Sequence, residues 1–268
     1  MMKNRREFLI GSGCALVASS AIVKLGAEPL GNRDLTDRHV FEFQVVDEIL
    51  RELFGTFYST EDASLRIDLP TEVQNPEYVP FRVAVSDSDR IAIFVEENRY
   101  PLLLVSENGH RAYRELTGVF RLERGQQLTV YSLHNGNLHK NERKIRWNGH
   151  VDQRKWSAMA VELPPVSTIL RAEVSRDGIN ILCSIYHQDN FLGIKPYIQQ
   201  IKFSVNEQVV SILECGLSIA HNPRFSIHLK LLHEDDIIQV DWNDSDGNKG
   251  HALGTVGLIL NKNLYREI

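Results

Sequence analysis

The sequence predicts an all-β chain built as two β-sandwiches in tandem, preceded by one helix. Three observations carry this. Short apolar runs with period-2 alternation recur along residues 79–147, bounded by turn residues. After the polar stretch "NGHVDQRKW" (148–156) the same kind of series restarts and continues to "GHALGTVGLIL" (250–260). Each series holds roughly seven short strands, which is what a sandwich of about 95 residues requires.

In order along the chain, "DRHVFEFQVVDEILRELFG" comes first. Phe41, Val45, Ile49 and Leu53 fall at helical spacing, and Val46, Leu50 and Phe54 widen the apolar face. Asp37 is placed to cap the start and Gly55 to end it. "VPFRVAVS" then alternates strictly, with Val79, Phe81, Val83 and Val85 on one face. "RIAIFVEE", "PLLLV", "GVFRL", "QLTVYSL" and "RKIRW" follow, and "HNGN" (134–137) is an Asn-Gly hairpin turn. The second series reads "ILRAEVS", "INILCSIYH", "YIQQIKFSV", "QVVSIL", "FSIHLKLL" and "DIIQVDW", then a turn at "NDSDGN" (243–248). Pro164 and Pro165 punctuate its start.

The first residues belong to export rather than to the fold. Arg5 and Arg6 are followed by Phe8 and Leu9 and by an uncharged run to Val23 that is rich in Gly, Ser and Ala. This is the pattern of a twin-arginine signal, too short and too weakly apolar for a membrane span. Cleavage after Ala21 or Ala27 is expected, with an uncleaved anchor or lipidation at Cys14 as the less favoured readings. The expected location is the periplasm, with no membrane contact after cleavage. Only Cys183 and Cys215 then remain, and a disulfide between them is permitted in that oxidising compartment.

The 268-residue chain is 43% hydrophobic and 24% charged, with formal net charge −5, a balance that argues against nucleic acid as the ligand. Ten histidines invite a metal search. His134 and His139 flank the Asn-Gly turn, but they lack the i, i+4 spacing of a zinc helix and no cysteine lies close to them. "DWNDSDGN" is no calcium loop: with Gly247 at the sixth position, Trp242 would be the first ligand. Neither a nucleophile elbow nor a Gly-rich phosphate loop occurs. Cys183 runs in phase with Ile179, Ile181 and Ile185, and Cys215 with Leu213, so both thiols are expected to face a core. No catalytic residue, cofactor or metal site is expected, and the chain is not read as an enzyme.

Beyond these features, "IDLPTEVQNPEYVPFRVAV" (67–85) and "IAIFVEENRYPLLLV" (91–105) resemble the Y subunit of the SoxYZ sulfur-carrier family, through Leu69-Pro70, Val79-Pro80, Asn98 and Pro101. "YHQDNFLG" (186–193), "HNPRFSIHLKL" (221–231) and "VDWNDSDGNKGHA" (240–252) resemble its Z subunit, with Gln188 where that family has proline. The resemblance implies two immunoglobulin-like sandwiches fused in one chain and docked on each other. It sets the domains at 1–27 (signal), 37–150 (SoxY-like with its leading helix), 151–166 (linker) and 167–262 (SoxZ-like). It also implies a Gly-Gly-Cys-Gly-Gly arm after "NERKIRW", whose thiolate carries sulfur intermediates between periplasmic enzymes. Here "NGHVDQRKW" follows instead, keeping Gly149 and no cysteine. The implied role is a carrier or adaptor for a periplasmic partner, a quinoprotein dehydrogenase or a sulfur-oxidation enzyme. Carriage of a sulfur compound on Cys183 or Cys215, and a ligand-binding module unrelated to sulfur, remain as alternatives.

Overall fold

The computed structural model describes residues 38–267 apart from 74, 86–87, 89, 109–111, 124–126, 148–166, 176, 187–195 and 262–263. The signal and the stretch 148–166 therefore lie outside the described residues, as does most of "YHQDNFLG".

The first half contributes β1 (Thr60–Glu61), β2 (Arg66–Asp68), β3 (Val79–Ala84), β4 (Arg90–Val95), β5 (Leu102–Asn108), β6 (Ala112–Phe120), β7 (Gln127–His134) and β8 (Asn137–Lys144). The second contributes β9 (Ser167–Ser175), β10 (Gly178–Tyr186), β11 (Ile198–Val205), β12 (Gln208–Cys215), β13 (Arg224–Leu229), β14 (Ile237–Asp244), β15 (Lys249–Thr255) and β16 (Leu264–Glu267). The alternation holds as predicted: β3 buries Val79, Phe81 and Val83 and exposes Pro80 and Arg82. The β7–β8 turn has Asn135 and Gly136 at φ 48° and 75°, the paired left-handed conformation that a two-residue hairpin needs.

These strands do not form two separate sandwiches. They form two long sheets, each running through both halves. The first has the order β1-β8-β7-β4-β5-β12-β11-β14-β15 and the second β16-β9-β10-β13-β6-β3-β2. The halves meet edge to edge: β5 pairs antiparallel with β12, Val105 opposite Glu214, and β6 pairs antiparallel with β13, Thr117 opposite Ser226. Adding seven to each label of β8-β7-β4-β5 gives β15-β14-β11-β12, and the same shift takes β2, β3 and β6 to β9, β10 and β13. Each half is thus a three-strand sheet on a four-strand sheet in the immunoglobulin manner. An approximate twofold relates them across the seam. One apolar core runs through both, from Phe81 and Phe120 in the first half to Phe203, Phe225 and Trp242 in the second.

The leading helix departs from the sequence reading. A single 3₁₀ turn at Arg38–Glu42 is followed by α1, which spans only Val46–Phe54. "FEFQVV" interposes aromatic and β-branched residues, which lose rotamer freedom in a helix, so one continuous helix does not form. Val45 is the N-cap in extended conformation, without a side-chain cap, and is half exposed. Gly55 closes the helix in the left-handed conformation (φ 71°), its N–H donating to the Arg51 carbonyl. Arg90 Nη1 donates to the Leu53 carbonyl at 2.7 Å, a cation at the negative helix end. Ile49, Leu50 and Leu53 cover the outer face of the first sheet, over Ala92, Phe94, Leu102 and Tyr131. At the other end of the chain, β15 stops at Thr255 and "VGLILN" coils into a short helix, α2 (Val256–Asn261). β16 then returns to pair with β9, past residue 262. No helix among the described residues is long and apolar enough to cross a membrane.

Candidate functional site

The resemblance points first to the end of β8. After Lys144, Ile145 is still buried and Trp147 packs partly buried on the core, while Val73 N–H donates to the Arg146 carbonyl at 3.0 Å. The chain is thus held down as far as Trp147. No cysteine occurs anywhere from Ala15 to Leu182.

Both remaining thiols are walled in. Cys183 lies mid-β10, between Leu170 of β9 and Phe225 of β13, and Cys215 ends β12 opposite Leu104; each is 0% exposed. Burial pushes both thiols well above the ordinary range, and for Cys215 the neighbouring Glu214 carboxylate adds to it while Arg38 opposes it. They are free thiols in different sheets, so the disulfide that the sequence permits is not formed. A protonated, inaccessible thiol is neither nucleophile nor carrier.

His139 and His228 serve local structure. His139 Nδ1 is 3.2 Å from Thr60 Oγ1 and 3.8 Å from the Asp62 carboxylate, beside the β7–β8 turn. Asp62 is held below the usual carboxylate range chiefly by hydrogen bonds from Ser64. His228 is buried, with Nδ1 2.9 Å from Asn180 Oδ1 and Nε2 3.4 Å from Asp177. No cluster of three metal-ligating side chains occurs among the described residues. In "DWNDSDGN" the buried Asp244 carboxylate accepts from the backbone N–H groups of Asp246 and Asn248 and from Asn248 Nδ2, each at 2.9 Å. The acid that superficially resembles a calcium ligand closes a turn.

The densest polar arrangement lies along the seam. Asn98, 4% exposed in the β4–β5 loop, donates through Nδ2 to the Arg121 carbonyl and to Ser218 Oγ, both at 3.1 Å, and accepts from Glu123 N–H at 3.0 Å. Ser218 Oγ donates onward to the Tyr100 carbonyl at 3.0 Å. Arg121 donates its N–H to the Ser218 carbonyl at 2.7 Å and its Nη2 to the Leu217 carbonyl. Gly216 has no room for a side chain: an added Cβ would stand 2.3 Å from the Leu102 carbonyl and 2.8 Å from Phe41. Arg38 reaches across the same junction to the carbonyls of Gln199 and Cys215 and to Glu214. The resemblance singles out Asn98 as a motif residue; its bridging role rests on Ser218, 120 residues away, which no local pattern in the sequence reveals.

The family models for "sulfur oxidation protein SoxY" and "sulphur oxidation protein SoxZ" match residues 50–149 and 188–253 of this one chain. The chain belongs to the SoxYZ-like family. Its two matched domains coincide with the halves that meet at the seam, SoxY-like before and SoxZ-like after. Among solved structures, the sulfur carrier protein SoxY from Chlorobium limicola f thiosulfatophilum is similar at 24% identity, over 38% of this chain and 94% of that one, with TM-score 0.36. A β-glycosidase from Bacteroides vulgatus is similar at 10% identity, over 78% and 26%, with TM-score 0.23. No curated protein matches. SoxY and SoxZ proteins are sulfur-oxidation carriers and adaptors that act with partner proteins.

Proposed function

We propose that this SoxYZ-like chain is a non-catalytic periplasmic adaptor that presents its joined halves to a partner enzyme and carries no covalent sulfur species. The partner is a periplasmic quinoprotein dehydrogenase or a sulfur-oxidation enzyme. One observation carries the reading: the SoxY-like match contains no cysteine, while both thiols of the SoxZ-like half are sealed in the core. The Arg5-Arg6 pair supports export to the compartment of such partners. Residues 151–166 then act as the linker that keeps the two halves together.

The test is the intact mass of the protein isolated from cells oxidising thiosulfate. The expected mass is that of the unmodified chain after signal removal, and native protein should not react with an aromatic disulfide reagent until it is unfolded. A sulfur-containing increment on Cys183 or Cys215 would overturn the proposal in favour of a thiol carrier.

A further inference from the structure

On the outer face of the second sheet a groove of about 460 Å³ runs beside the seam. Its walls are apolar: Leu69 and Pro70 after β2, Pro80 on β3, and Val119 on β6, which is almost fully buried at the floor. The two ends differ in charge. At one, Asp68 lies opposite Arg82 in the β2–β3 pairing, and Arg82 is bonded to Glu115 at 2.5 Å, so the three groups there sum to one negative charge and do not attract an anion. At the other end stand the Tyr78 phenol and Arg224. Arg224 comes from β13, in the other half of the chain, and has no ion-pair partner among the described residues. Tyr78 is 37% exposed; partial desolvation moves its phenol above the ordinary value while Arg224 opposes that shift, and the neutral O–H is free to donate to a bound anion.

We propose that this groove binds a small organic anion with an apolar body, a carboxylate or sulfonate whose head meets Arg224 and Tyr78. Charge complementarity selects the head: a guanidinium without an ion-pair partner among the described residues is a ready partner for a planar carboxylate, and the phenol O–H supplies a second donor. The walls select the body, since Leu69, Pro70, Pro80 and Val119 offer nothing to a hydrated ion and bury a chain or ring. The volume suits a molecule of metabolite size rather than a folded partner. Because Arg224 enters from the second half, the site is complete only when the seam is closed. Occupancy therefore stabilises the joined state, as any ligand of the native form does. Such binding does not depend on the adaptor role.

Octanoate, octanol and acetate test it on the purified full chain, followed by amide NMR shifts. Octanoate should give saturable shifts at Gly118, Val119, Phe225 and Ser226, with octanol (same body, no charge) and acetate (same charge, no body) each about tenfold weaker. Arg224→Gln should remove the preference for octanoate over octanol, and Arg224→Lys should retain part of it. Arg224 is exposed, so neither change threatens the fold. Absence of saturable shifts at these amides, or undiminished octanoate binding by Arg224→Gln, would overturn the proposal.

Discussion

Replacing Asn98 by alanine removes one side chain that holds both halves. The amide donates twice and accepts once, on a residue that is only 4% exposed. In the variant, Glu123 N–H loses its acceptor and the Arg121 carbonyl loses a donor, while Ser218 Oγ keeps its bond to the Tyr100 carbonyl. At ~1 kcal/mol for a neutral hydrogen bond, and more where a buried group is stranded, the loss sums to about 3 kcal/mol. For a chain of this size that lowers Tm by roughly 6–12 °C. Ser218→Ala should lose about 2 kcal/mol, because its hydroxyl accepts from Asn98 and donates to the Tyr100 carbonyl, while Asn98 keeps its other two partners. Since the two side chains touch, the double variant should fall short of additivity, with a coupling of order ~0.5–1 kcal/mol. Urea and thermal unfolding of the four proteins measure this. A Tm within about 1 °C of the parent for Asn98→Ala would refute the reasoning.

Tyr131 gives a prediction in pH. It lies under α1 against Phe94, and burial first, then the carboxylates of Glu96, Asp47 and Glu142, push its phenol from 10.0 up to about 12. A raised folded value means stability present below the unfolded value and lost as pH climbs from about 10 to about 12, on the order of 2 kcal/mol. Tyr131→Phe should flatten that alkaline loss in urea titrations; an unchanged slope would show the phenol to be solvated. At the N-terminus, changing Arg5 and Arg6 together to lysine should abolish export, because the pair is read as an address rather than as charge, and normal periplasmic levels of the double variant would contradict the signal.

What is legible in the sequence follows from locality. Alternation in "VPFRVAVS" and the Asn135-Gly136 turn act within a few residues, and both stand where the pattern puts them. The core-facing phase of Cys183 is legible for the same reason. The pattern overextends the helix because the spacing of Phe41 and Val45 satisfies a helical period, while the β-branched and aromatic residues between them favour an extended link. The seam is not legible in its parts. Ser218, Leu217 and Gly216 read as an ordinary loop, and their meaning comes from Asn98, Arg121 and Leu102, far earlier in the chain. Arg224 belongs to a motif by resemblance, yet its place at the groove depends on β13 meeting β6.

That pairing yields the last prediction, for the two halves made separately as residues 38–147 and 167–268. In the whole chain β5 and β6 have partners on both sides, and Leu102, Leu103, Leu104 and Val105 are fully buried. Cutting the halves apart leaves β5, β6, β12 and β13 as unpaired edges with apolar side chains, the arrangement that drives strand pairing between molecules. The seam also carries the Asn98, Arg121 and Arg38 hydrogen bonds, so its specificity does not depend on the linker. The linker contributes only effective concentration, at the millimolar level for short tethers. Mixed halves should therefore sediment as a one-to-one complex at micromolar concentration. Because an approximate twofold relates the halves, each alone should self-pair through the same edges and sediment as a dimer or larger species. Asn98→Ala in the first half should weaken the mixed complex more than it weakens self-pairing, since its Ser218 partner exists only in the second half. Monomers in every sample at tens of micromolar would mean that the edges do not drive association, and the continuous sheets would then owe their closure to the tether.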